Sequence, residues 1–188
     1  MYKSSVDFSK LRILIVENHA LMRRLLVEML RGFGVQHIYQ ASSVPAAVEI
    51  FYGEDLDAVI LDFFLDEMDG ADFARQVRHD ETCANRQVPI LLITGMPDHH
   101  KVLKVIDAGI NGMLAKPIAP KDLYNRLHAM LANPRPFVIS HDYVGPMRNR
   151  TNPPLKAQPA RPAAFKAPPP APKRPSKRNT VYEDGILI

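Results

Sequence analysis

The 188-residue chain has one cysteine, Cys83, which excludes an internal disulfide and a cysteine-built zinc site and is what a reducing compartment, the cytoplasm, leads one to expect. Long apolar runs are missing too. Residues 13–16 (Ile-Leu-Ile-Val) form the longest run near the N-terminus, too short for a signal peptide's hydrophobic region, and nothing nears the roughly 20 apolar residues that span a bilayer. No membrane span is therefore expected. After that first run there is no Gly-x-Gly-x-x-Gly, which excludes a dinucleotide enzyme, and no Ser/Thr/Gly-rich phosphate loop of the kind a flavin-binding protein needs. A helix-turn-helix pattern is also lacking, so nucleic acid is not an expected partner.

Charge and proline divide the chain in two. Residues 1–133 hold 14 Lys and Arg against 17 Asp and Glu, a net of −3, whereas residues 134–188 hold 10 against 3, a net of +7. Only 5 of the 17 prolines precede residue 134. The basic pI thus describes the second part and implies no nucleic-acid-binding fold. The expected organisation is a lead-in over residues 1–10, one domain over 11–133 and a basic, proline-rich disordered tail over 134–188, which cannot bury enough apolar area to offset chain entropy, with Phe137 to Ile139 a candidate to pack against the domain. The tail's last stretch, from Thr180 to Ile188, is apolar and acidic, a candidate docking peptide.

Within the domain, residues 11–16 read as a strand buried on both faces. Met22, Leu25, Leu26, Met29, Leu30 and Phe33 then recur at helical spacing, with Gly32 and Gly34 as stop signals. The alternation continues with strands over 36–41, 58–61, 90–93 and 112–115, and helices over 43–52, 71–78, around Val102, Val105 and Ile106, and through Leu123, Leu127, Met130 and Leu131. Strands alternating with helices call for an α/β, doubly wound five-stranded parallel sheet with helices on both faces. In such sheets ligands bind where the strands end at their carboxyl side.

Those ends carry Glu17 and Asn18, Asp62, Thr94 with Gly95, and Lys116 with Pro117. Taken singly, Asn18 could cap the first helix, Asp62 could be a turn residue, Thr94 could merely end a strand and Lys116 could be a solvated charge. Together they form a set suited to phosphoryl chemistry: a carboxylate can attack a phosphoryl donor, oxygen ligands can hold a divalent cation, and a hydroxyl and an ammonium can stabilise the product.

Across about residues 11–131 the sequence resembles the receiver domains of two-component response regulators. The resemblance rests on Ile-Leu-Ile-Val-Glu-Asn-His at the first strand, on Val-Ile-Leu-Asp-Phe-Phe-Leu-Asp-Glu-Met-Asp-Gly around Asp62, on Thr94, and on Lys116-Pro117. It implies a flavodoxin-like sheet of order 2-1-3-4-5 and a signalling module rather than an enzyme. Asp62 would be the phosphoacceptor, served by a histidine kinase or phosphotransfer protein and read by a downstream protein target. Mg2+ would be held by Glu17, Asn18, Asp62 and the main-chain carbonyl of Phe64. Lys116 and Thr94 would bind phosphoryl oxygens, Thr94 and Met113 would form the switch, and the Lys116–Pro117 bond would be cis.

Three positions depart from the family pattern. Asn18 replaces the second acid, which implies weaker Mg2+ binding. Asp66 stands where proline is common; this extra acid near the acceptor either partly offsets that loss or faces solvent, and solvent is the expectation. Met113 replaces an aromatic residue, though a flexible Met can repack. Asn18 and Met113 define the alternative function, a pseudo-receiver that binds partners without phosphorylation, against which stand Asp62, Thr94 and Lys116.

Overall fold

Strand β1 (Arg12–Val16) lies between β2 (His37–Ala41) and β3 (Ala58–Asp62), followed by β4 (Ile90–Thr94) and β5 (Gly112–Ala115). All neighbours are parallel, in the order β2-β1-β3-β4-β5. The computed structural model describes residues 6–95 and 99–148. Helices α1 (Ala20–Gly32), α2 (Val44–Gly53), α3 (Gly70–His79), α4 (His99–Asp107) and α5 (Pro120–Ala132) connect the strands.

Strand alternation explains the layers. Leu14, Val16, Val59, Leu61, Ile90 and Leu92 point to one face, where Val48 and Phe51 of α2, Phe73 and Val77 of α3 and Val105 of α4 cover them. Ile13, Ile15, Ile60, Leu91 and Ile93 point to the other, under Leu26 and Leu30 of α1 and Leu123 and Leu127 of α5. Each fully buried side chain of this size contributes about 1.5–3 kcal/mol, so both faces are specified and a register slip would expose them. β3 and β4 are buried at every position, as central strands require, whereas β2 forms a partly exposed edge. Leu25, expected on the apolar face of α1, is exposed instead. Among the described residues no helix is long and apolar enough to cross a membrane.

The expected tail boundary at residue 134 needs correction. Beyond α5 the chain forms an antiparallel hairpin of β6 (Phe137–Ile139) and β7 (Val144–Pro146) that packs on the domain. Arg135 donates to the carbonyl of Asn111 at 2.7 Å, and Arg148 pairs with Asp107 of α4 at 2.6 Å. Backbone approaches backbone here: a Cβ on Gly109 would stand 2.3 Å from the Val144 carbonyl oxygen, and one on Gly145 would stand 2.5 Å from the Gly109 Cα. Proline counts concealed this because two glycines, contributing no side chain, make the contact. Residues 149–188, including the candidate docking peptide, lie outside the described residues.

Candidate functional site

The strand ends converge as the topology requires. Val16 pairs with both Ala41 and Leu61, so the next residue, Glu17, leaves the sheet at its carboxyl edge with its N–H donating to the Ala41 carbonyl at 3.1 Å. Its carboxylate is buried, Oε1 accepting the His19 N–H at 3.0 Å and Oε2 accepting from Lys116 Nζ at 2.9 Å. Arg23, one turn into α1, donates to the Glu17 carbonyl at 2.7 Å and fixes the loop from behind. No sequence motif announced that brace.

Asp62 ends β3 opposite Ile93 and is also buried. Its Oδ2 accepts the Phe64 N–H at 3.2 Å. Its Oδ1 pairs with the Lys116 ammonium at 2.8 Å. Lys116 is delivered from the end of β5, where its N–H donates to the Thr94 carbonyl at 2.7 Å and where the Lys116–Pro117 bond is cis, as expected. Thr94 closes β4, fully buried beside them. Burial pushes the Lys116 ammonium pKa down, but the carboxylates of Asp62 and Glu17 outweigh it and hold it above the ordinary lysine value.

One ammonium facing two buried carboxylates leaves an excess negative charge, and a buried charge without full compensation is costly. Among the described residues at this edge the candidate ligands are oxygens: the carboxylates of Glu17 and Asp62, with the Asn18 amide and the Phe64 carbonyl next to them in the chain. With two buried carboxylates sharing one ammonium, this set fits a hard divalent cation. Among the described residues no three of His, Cys, Asp and Glu gather as metal ligands.

Asn18 does not cap α1. His19 does, its Nδ1 accepting the Met22 N–H at 3.3 Å. The Asn18 amide instead donates to Asp66 Oδ1 at 2.9 Å, so Asp66, though exposed, does more than face solvent. Met113, in β5, pairs with Leu92 of β4 and packs, partly buried, on the core beneath α2, α3 and α4.

Two features complete the surroundings. Gly70, which opens α3 after the capping Asp69, lies so close to the strand end that a Cβ would be 2.2 Å from the Asp62 carbonyl oxygen. Gly70→Ala should therefore displace the Asp62 loop and lower stability by about 2–3 kcal/mol, measured by denaturant unfolding. An unchanged midpoint would mean that the backbone relaxes freely. Helix α4 reaches the same loop through Lys101, whose ammonium lies 5.7 and 5.1 Å from the ring centres of Phe63 and Phe64. One turn on, Lys104 pairs with Asp69 and, at 2.7 Å, with Asp72. A further turn on, Asp107 holds Arg148.

Comparison with known proteins agrees with this geometry. Residues 13–128 match the family model described as the response regulator receiver domain. Chemotaxis protein CheY-3 of Vibrio cholerae is 29% identical over 117 residues, covering 62% of this chain and 88% of the relative. A Chloroflexus aurantiacus structure assigned as a response regulator superposes with a TM-score of 0.60 at 31% identity, covering 65% of this chain and 98% of that one. The receiver domain of a Pseudomonas aeruginosa sensor histidine kinase, described with a magnesium ion coordinated in its active-site cleft, gives 0.57 at 27% identity, covering 65% and 97%.

Proposed function

Because the chain belongs to the response regulator receiver family, a family of signalling modules, we propose that it acts in a phosphorelay, accepting a phosphoryl group on Asp62 from a histidine kinase or phosphotransfer protein. The observation that carries this is the convergence of Asp62 and Glu17, from different strands, on the Lys116 ammonium at 2.8 and 2.9 Å.

In the step, a carboxylate oxygen of Asp62 attacks the phosphorus of a phosphoimidazole. The P–N bond breaks, the imidazole leaves with the electron pair and takes a proton, and an acyl phosphate remains. The Phe64 N–H and the neighbouring strand hold the carboxylate in place. Lys116 exchanges its contact with Asp62 for one with a phosphoryl oxygen, and the Thr94 hydroxyl binds another. Glu17, Asn18, Asp62 and the Phe64 carbonyl would hold Mg2+, which supplies charge neutralisation for the incoming oxygens. The new charge biases α4, already tied to the acceptor loop by Lys101 and Lys104, and a downstream protein reads that face. Met113, smaller and more flexible than an aromatic, repacks beneath it.

Incubating the full chain with acetyl phosphate and MgCl2 should add one phosphoryl group by intact mass, with none when EDTA replaces the metal. No adduct under any Mg2+ concentration would overturn the proposal in favour of a phosphorylation-independent binding module of the same fold. Asn18 offers an amide where a carboxylate would add charge, so Mg2+ binding is weak. Asn18→Asp should tighten it by about three- to tenfold, read by calorimetric titration; equal affinities would remove this account.

A further inference from the structure

We propose that Asp66 is a positioning residue for the cation of this site, acting through Asn18 to orient and polarise its amide oxygen and to return, one residue removed, the negative charge that Asn18 lacks. The inference rests on the reading of Asp62 as a magnesium-assisted acceptor.

A carboxamide carries its oxygen and nitrogen on opposite sides of one carbon. With Nδ2 held 2.9 Å from Asp66 Oδ1, the Asn18 oxygen is turned away from Asp66. The same bond is charge-assisted, and donation to a carboxylate shifts electron density onto the amide oxygen, making it a better ligand for a hard cation. Asp66 therefore serves both orientation and charge.

Both sides of the contact are fixed in place. Arg23 grips the Glu17 carbonyl at 2.7 Å behind Asn18. The loop bearing Asp66 is closed by a Phe64–Asp69 bridge and by the Gly70 N–H donating to the Phe63 carbonyl at 2.8 Å. Its next residue, Glu67, accepts the Val44 N–H at 3.3 Å. Among the described residues no basic side chain pairs with Asp66 to neutralise it. An exposed carboxylate bonded to the Asn18 amide, beside two buried carboxylates that share a single ammonium, is an arrangement a bound cation would complete.

The test is isothermal titration of MgCl2 into the full chain and four variants. Asp66→Asn keeps a hydrogen-bond acceptor but removes the charge, and it should weaken Mg2+ about three- to tenfold. The double variant Asn18→Asp/Asp66→Asn moves the charge to position 18 while preserving a donor–acceptor pair, and it should bind at least as tightly as wild type. Asn18→Asp alone should bind tightest. Unchanged affinity in Asp66→Asn, or a double variant weaker than wild type, overturns the proposal. So does lower metal-free thermal stability in Asp66→Asn with Mg2+ affinity preserved, the mark of a merely structural bond. Asp62→Asn separates this failure from that of the underlying reading: if wild type binds Mg2+ and Asp62→Asn binds it equally well, the acceptor site itself is wrong.

Discussion

Replacing Asp62 with alanine should abolish phosphoryl incorporation while leaving the domain folded. The neighbouring acids are poor substitutes. Glu17 is buried with both oxygens engaged, one by the His19 N–H and one by Lys116, and Asp66 is spent on Asn18 in the exposed loop. The variant should also be no less stable than wild type. In the native site Lys116 faces two carboxylates, so removing Asp62 leaves a balanced pair of Lys116 with Glu17 and relieves a like-charge contact. Relief of that kind is worth about 1 kcal/mol and is the usual sign of a site built for function rather than stability. Intact mass after acetyl phosphate treatment and a parallel thermal melt give both readouts. An adduct surviving in Asp62→Ala would move the acceptor elsewhere, and a large drop in melting temperature would make Asp62 structural.

The second large effect lies at the opposite end of the molecule. Arg78, on the last turn of α3, is fully buried, and among the described residues no carboxylate forms an ion pair with it. Its guanidinium donates instead to main-chain carbonyls: Gly109 at 3.0 Å, Val88 at 2.7 Å and Arg86, with Asn111 Oδ1 at 3.0 Å. The ring of Phe137, in the hairpin, lies over it at 5.3 Å. Burial pulls its pKa down to about 10, yet at neutral pH it remains charged, and the planar fork satisfies segments that no helix or strand serves. Arg78→Ala strips several buried acceptors at once and should cost about 3–5 kcal/mol, seen as a lower denaturant midpoint with faster amide exchange in β6 and β7. Arg78→Lys, with fewer and differently directed donors, should recover only part. A loss under about 1 kcal/mol for alanine would show that water replaces the guanidinium without penalty.

Arg78 also marks where sequence reading stops. A lone arginine near a helix end, followed by a polar loop, looks like a solvated charge, because its acceptors are carbonyls of residues 8 to 31 positions away. Main-chain carbonyls leave no trace in a sequence. The hairpin was legible only in part: the apolar run Phe137 to Ile139 marks a segment that can pack on the domain, but its anchors are a guanidinium, two glycines and an ion pair to α4, none with a periodicity to read. Asp66 is a milder case. Its departure from the family pattern was visible, but its partner Asn18 lies 48 positions away and only the side-by-side placement of β1 and β3 joins them.

What the sequence by itself determined is everything that repeats or ends. Hydrophobic period separates five strands from five helices, because a strand alternates every second residue and a helix every three to four. The polar residue after each apolar run names Glu17, Asp62, Thr94 and Lys116, since a parallel sheet places all such ends on one edge. What only the tertiary structure decided are the contacts between those ends: that one ammonium bridges two carboxylates far from it in the chain, Glu17 lying 99 residues before it, that Asn18 turns to Asp66, and that the chain past α5 folds back onto α3 and α4. Such contacts depend on distance and direction in space, which follow from how the layers pack and not from the identity of any one residue.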